Sequence, residues 1–247
     1  MSPTANDLDL DTAARDLYAV LLAGGLGLAC TDTGYGLVAL GADAVHRIYQ
    51  LKGRPAEKPC VVVGTLPVLD DITTGVAPMV RGWLAGAIER WPLAVVARQR
   101  PGSRLLAATP AEVLAQCGKA GTVATFYGVG PVISRVAALA CADGHLVVGS
   151  SANRSGTGNN YTLADVPEAM RRGVDVVVLG SVSPAAAQEA GGSARRRASS
   201  ILDLTTGTFL REGVAHDQIA ASWRSLPRAD LALAAAAPGP APTASAG

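Results

Sequence analysis

Short apolar runs that read as strands alternate with amphipathic helical patterns through most of this 247-residue chain. A pattern of this kind narrows the fold to the α/β class, because strands and helices that alternate along a chain must pack a sheet between helical layers. Asp11-Thr12 can cap a helix carrying Ala14, Leu17, Leu21 and Leu22 on one face, and Gly24-Gly25 stops it. Leu26–Cys30 reads as a buried strand. Asp43 opens a helix with Val45, Ile48, Tyr49 and Leu51 inward. Strand Cys60–Val63, a helix over about Val76–Arg90 and strand Leu93–Ala97 follow. Next come strand Thr122–Phe126, a helix from Gly130-Pro131 to Cys141 and strand Leu146–Gly149. The spacing then predicts a helix over Thr162–Arg172, a strand over Asp175–Leu179, and two strands, Ser199–Leu204 and Thr208–Arg211, around a Thr206-Gly207 turn. The expected fold is a twisted mixed or partly parallel sheet flanked by helices. The expected boundaries are a disordered lead over residues 1–11, one catalytic domain over 12–226, and a disordered Ala/Pro tail over 227–247. The Ala-, Gly- and Arg-rich stretch 183–198 reads as a mobile connection.

Three polar clusters follow strand ends, where α/β sheets place their ligands: Thr31–Tyr35, Ser150–Asn153 and Ser199–Arg211. A fourth stands before a strand, Lys52-Gly53-Arg54-Pro55-Ala56-Glu57-Lys58-Pro59. It holds two of the only three lysines in the chain, Lys52, Lys58 and Lys119. Arg54 adds a planar fork that can grip a phosphate through two parallel hydrogen bonds. Gly53 and Pro55 give the turn a defined shape. The same residues also suit a solvated basic loop, and the hydroxyls and amides of Ser150–Asn160 also suit a polar surface loop.

Charge sets a limit. Lys+Arg 21 against Asp+Glu 20 leaves a net charge of +1, with no electrostatic footprint for extended nucleic-acid binding. No apolar run is long enough for a membrane span, and no charged-then-apolar leader opens the sequence. Cys30, Cys60, Cys117 and Cys141 are far apart and sit in apolar surroundings, as reduced core residues of a cytoplasmic protein do. They and the three histidines show no metal-ligand spacing, so no metal site is expected.

Four segments in this order, TDTGYGL (Thr31–Leu37), KGRPAEKP (Lys52–Pro59), SSANRSG (Ser150–Gly156) and SSILDL…LREG (Ser199–Gly213), resemble the YrdC-like, threonylcarbamoyl-AMP synthase family over about residues 12–213. The resemblance implies a YrdC-like fold around a central positively lined cavity, in the short form of the family, without a further C-terminal domain. It implies an ATP-dependent nucleotidyltransferase that joins L-threonine, bicarbonate and ATP into threonylcarbamoyl-AMP for the t6A modification of tRNA, with Mg²⁺ accompanying the ATP. Lys52, Arg54, Ser151 and Asn153 would then carry the catalysis. Lys52, Arg54, Lys58, Ser151, Asn153 and Arg211 would bind the nucleotide. Thr33, Tyr35, Phe126 and Ser199 would meet the substrate.

The sequence also departs from that family. Cys30 stands where a proline is usual, Gly34 where a bulky aliphatic is usual, and Val63 where a histidine is frequent. Pro92-Leu93-Ala94-Val95 replaces a GPxT segment. The segment in which an arginine would grip the threonine carboxylate reads Val123-Ala124-Thr125-Phe126-Tyr127-Gly128-Val129-Gly130-Pro131. Three functions therefore remain open: the threonine-using synthase, a paralogue that makes or uses a carbamoyl-adenylate with another acceptor, as in natural-product biosynthesis, and a non-catalytic nucleotide- or RNA-binding module.

Overall fold

The computed structural model describes residues 5–190 and 196–227. Eleven strands form one sheet: β1 Gly27–Thr31, β2 Gly34–Ala39, β3 Val61–Val63, β4 Thr73–Thr74, β5 Leu93–Gln99, β6 Gly118–Lys119, β7 Thr122–Tyr127, β8 Val148–Ser151, β9 Val176–Val178, β10 Ser200–Asp203 and β11 Thr208–Arg211. The helices are α1 Ala5–Leu22, α2 Ala42–Lys52, α3 Leu66–Ile72, α4 Pro78–Ile88, α5 Arg104–Ala108, α6 Ala111–Cys117, α7 Pro131–Asp143, α8 Glu168–Arg172, α9 Pro184–Ala190 and α10 His216–Arg224. The main sheet runs β11-β10-β5-β7-β3-β8-β2-β1-β9, with β4 on β5 and β6 on β7. Its parallel pairs are β1/β9, β3/β7 and β5/β10, and the others are antiparallel. The sheet is therefore mixed, within the α/β class that the alternating pattern predicts.

Helices cover the two faces unequally. On one face, α2, α6 and α8 bury Val45, Ile48, Val113 and Met170 against Leu28, Leu37 and Val62. Farther along the same face, α4 and α10 bury Leu84, Ile219 and Trp223 against Leu93, Val95 and Leu202. The opposite face is covered by α1 and α7, whose Leu17, Leu21, Ile133 and Val136 pack on Ala29, Val38 and Val63. This third cluster reaches Phe126 but no residue of β5 or β10, so the sheet stays uncapped beside the end of α7. That gap is where the candidate site lies.

Several elements differ from the sequence-based expectation. Helix α1 begins at Ala5, ahead of the Asp11-Thr12 start, because Leu10 continues its apolar stripe onto the core. Residues 1–4 and 228–247, expected as parts of the lead and the tail, lie outside the described residues. The Thr31–Gly36 segment is more than a loop: Gly34 opens β2, which pairs back on β1 as a hairpin. The helix expected over Thr162–Arg172 is split into a 3₁₀ turn, Leu163–Asp165, and α8, because Pro167 stands between them and cannot continue a helix interior. Of the stretch 183–198, α9 forms the first part, and residues 191–195 lie outside the described residues. No described helix is long and apolar enough to cross a membrane.

Candidate nucleotide site

Strand register explains the hollow. Residues directly opposite on paired strands point to the same face. Gly36 opposes Ser151, Val38 opposes Gly149, Gly149 opposes Val61, Val63 opposes Phe126, and Phe126 opposes Ala94. This row belongs to the face carrying α1 and α7. Three of its members, Gly36, Gly149 and Ala94, have little or no side chain, so the floor is low. The resulting cavity holds about 740 Å³ of empty space, its open mouth included. Thr31, Thr33, Tyr35, Arg54, Cys60, Phe126, Ser151, Asn159, Ser199 and Arg211 are in its wall. None of the lining residues is acidic.

The basic turn is built on the end of α2. Gly53 adopts φ 54° and ψ 42° as its C-cap, and the amides of Gly53 and Arg54 return to Gln50 and Tyr49 carbonyls. That left-handed conformation is where glycine has no Cβ penalty. Tyr49 Oη donates to the Lys58 carbonyl at 3.0 Å and lies 3.3 Å from the Gln116 carbonyl, which ties the turn to α6. Arg54 then folds over its own loop, donating from Nε to Lys58 O at 3.0 Å and from Nη2 to Pro59 O at 2.6 Å. These bonds fix the guanidinium at the cavity wall and leave Nη1 without a protein acceptor among the described residues.

Lys52 and Asn153 come together, but behind the wall. Lys52 is 3 % exposed, and its Nζ donates to the carbonyls of Ser151 and Asn153, the latter at 2.8 Å, and to Asn153 Oδ1 at 3.2 Å. Asn153 Nδ2 is spent inside its own loop, on Thr157 O at 2.7 Å and Arg154 O at 3.1 Å. Lys52 is thus a clasp that holds the Ser151–Thr157 loop against the basic turn. The loop presents Ser151, whose Oγ donates to Asn153 Oδ1 at 2.5 Å, to the cavity. Lys58, expected at the phosphates, is exposed and outside the wall; its carbonyl, not its ammonium, serves the site. Burial first, and the Arg54 charge second, push Lys52 down to about 7.

Ser199 and Arg211 form the facing corner. Arg211 donates from Nε to Ser199 O at 2.8 Å and from Nη2 to Ser199 Oγ at 3.0 Å. Its pKa is lowered by burial and then by the charge of Arg54, so the two guanidinium groups feel each other across a wall with no carboxylate. Like charges held this way are most readily offset by an anion.

Two features of the wall were missed in the sequence. Asn159 Nδ2 donates to Thr33 O at 2.7 Å, and Asn160 O accepts from Tyr35 N at 2.8 Å, so this loop closes the Thr33–Tyr35 side. Gly34 permits that approach: its φ is 114°, and a Cβ there would stand 2.6 Å from Asn160 O. The adjacent Asn-Asn pair was the available signal. In the apolar part of the wall, Phe126 was expected at the substrate, whereas Val63, Ala94, Val129 and Ile133 had no signal beyond ordinary core periodicity.

Gly36 offers a direct test of the hollow. A Cβ there would meet only ordinary contacts, Thr31 Cγ2 at 3.4 Å and Ser150 O at 3.6 Å. Gly36→Val is expected to keep the fold, shift stability by less than about 1 kcal/mol, and weaken nucleotide binding at least about tenfold. Thermal melting and ligand titration read the two effects separately; unchanged affinity would place the ligand elsewhere.

The Sua5_yciO_yrdC family model, described as telomere recombination, matches residues 19–213. Among solved structures, P. abyssi Sua5 complexed with L-threonine is similar at TM-score 0.63 and 23 % identity, over 82 % of this chain and 54 % of that one. The hypothetical protein smu.1377c from Streptococcus mutans UA159 is similar at TM-score 0.71 and 17 % identity, over 85 % and 90 %. Full-length HypF in the phosphate- and nucleotide-bound form is similar at TM-score 0.60 and 14 % identity, over 82 % and 29 %. The chain thus spans about half the length of the P. abyssi protein. No curated protein matches the sequence significantly. At these identities the structural likeness speaks for the fold.

Proposed function

We propose that this chain, which belongs to the Sua5/YciO/YrdC family, is an ATP-dependent nucleotidyltransferase that forms a carbamoyl-type adenylate. The observation that carries this reading is the cavity itself. Arg54, Ser151, Ser199 and Arg211, from three remote segments of the chain, line one hollow without an acidic residue. Two fixed guanidinium groups and two hydroxyls suit a polyphosphate better than a neutral ligand. HypF, one of the similar folds, holds phosphate and nucleotide.

The reaction divides into two steps. An amine attacks bicarbonate, giving a carbamate and water. A carbamate oxygen then attacks the α-phosphorus of ATP, and the bond to the β-phosphate breaks as pyrophosphate leaves. Two anions must approach each other, so the contribution of Arg54 and Arg211 is to offset that repulsion and the charge growing on the departing pyrophosphate. Ser151 and Ser199 orient the phosphates and the carbamate, and holding the reactants together supplies much of the rate without a protein nucleophile. L-threonine, the ligand of the P. abyssi protein, would give threonylcarbamoyl-AMP, the precursor for t6A in tRNA, and is the reference amine. The wall offers hydroxyls but no carboxylate, so it does not form a protein-held Mg²⁺ site; the ion is taken as part of the MgATP substrate.

Pyrophosphate release by the full chain from ATP, with bicarbonate and an amine each added or withheld, tests the reading. Release that requires all three is expected. ATP binding with no release for any of a panel of amines, L-threonine included, would instead make the chain a nucleotide-binding module.

A further inference from the structure

We infer that the acceptor half of this cavity takes an amine with an apolar, uncharged body and no free carboxylate. The inference rests on the nucleotidyltransferase reading and names the substrate class of the same site. Its basis is the distribution of charge in the wall. Arg54 and Arg211 supply the side-chain cations, and both are tied to the turn and the Ser199 corner. Away from them, the floor and the α7 side are made by Val63, Ala94, Phe126, Val129 and Ile133. Val63 faces Phe126 and Phe126 faces Ala94 across the sheet, so the three form one continuous apolar surface. Val129 is 1 % exposed and Ile133 fully buried, both packed in the core that α7 builds.

The charge count favours the same class. The carbamate of an uncharged amine carries one negative charge, which the oriented donors near the phosphates can meet. The carbamate of an amino acid carries a second, and beyond Arg54 and Arg211 the wall offers that carboxylate no cation, only the side chains of Thr31, Thr33 and Asn159 and the Phe126 surface. A buried carboxylate without a cation or a set of donors is disfavoured, on the order of a hundredfold in affinity. An apolar group placed there removes its own surface and that of Phe126 from water instead. The covalent steps are unchanged: amine nitrogen bonds to the bicarbonate carbon with loss of water, a carbamate oxygen bonds to the α-phosphorus, and pyrophosphate departs.

The test compares L-threonine with L-threoninamide and isobutylamine as amines for bicarbonate-dependent pyrophosphate release, in the wild-type chain and in Phe126→Arg. ATP binding is titrated in both proteins alongside. The wild type is expected to use the two carboxylate-free amines at least about tenfold better than L-threonine, by kcat/KM. Phe126→Arg should reverse the order while ATP still binds. A wild type that prefers L-threonine, or that releases pyrophosphate with L-threonine and with neither carboxylate-free amine, overturns the inference and leaves the adenylation reading standing; ATP binding with no release from any of the three amines overturns both. Absence of ATP binding in the wild type overturns both. Should Phe126→Arg fail to fold, Phe126→Gln serves, with a narrowed gap between threoninamide and threonine expected and an unchanged gap counting against the role of Phe126.

Discussion

Lys52→Ala is expected to lower stability by about 3 kcal/mol, a fall in Tm of roughly 10 °C, and to weaken nucleotide binding at least about tenfold. The ammonium satisfies three acceptors of one loop, Ser151 O, Asn153 O and Asn153 Oδ1, from a position 3 % exposed. Removing it leaves Asn153 O without a donor at the point where the loop meets α2 and takes one of two donors from Ser151 O and from Asn153 Oδ1, which keep Asn153 N and Ser151 Oγ; an unsatisfied buried acceptor costs about 1–3 kcal/mol. Entering water recovers part of that. Ser151 then loses its fixed position in the wall. Lys52→Met keeps the stem and removes the donors, so it should lose nearly as much; retention of stability in Lys52→Met would assign the role to packing alone. The clasp also predicts a pH dependence. Lys52 titrates near 7, and a bound polyanion favours its protonated form. ATP affinity should therefore fall as pH rises from 6 to 9, by about tenfold if binding raises this pKa by about one unit, and Lys52→Met should flatten the profile. An unchanged slope in Lys52→Met would show that another group titrates.

Gly213→Ala is the second large effect expected, about 3 kcal/mol of destabilisation together with loss of nucleotide binding. A Cβ on Gly213 would stand 2.2 Å from Ala198 O, 2.3 Å from Ser199 C and 2.4 Å from Ser200 N. All three are backbone atoms, so no rotamer change relieves the overlap. The strands must separate instead, at the place where Val214 bridges Ser199 and Gly213 N donates to Ser200 Oγ at 3.0 Å. Among the described residues the Arg211 guanidinium is hydrogen-bonded to Ser199, so parting these segments releases it from the wall. Denaturant melts give the stability change, and titration gives the binding change. A variant with wild-type stability and affinity would mean that the crossing of Gly213 over Ser199 is looser than described.

The sequence was most informative at the segments that carry the family resemblance. Arg54, Ser151 and Arg211 were expected at the nucleotide and Ser199 at the substrate, and the fold brings all four to one cavity. Its limits are equally physical. Lys52 and Lys58 look alike in a basic turn, yet Lys52 ends α2 pointing inward and becomes a clasp, while Lys58 faces solvent. The direction of a long side chain is decided by what surrounds it, here the oxygens of Ser151 and Asn153, and local composition carries no record of that. Asn153 shows the same limit: its amide is consumed by Thr157 and Arg154. The Gly34 hairpin was concealed because hydroxyls and glycines serve turns and strand edges alike. Helices α3, α5 and α6 are of five to seven residues, too short for a helical period to declare itself.

The central claim is that Arg54 and Arg211 hold the phosphates of one nucleotide in one cavity. Calorimetric titration of ATP into the full chain tests it, in the wild type, Arg54→Ala and Arg211→Ala, at fixed low salt. The account predicts one ATP per chain and an affinity reduced at least about tenfold in each variant, with both variants still folded by circular dichroism. Wild-type affinity in both variants would contradict it.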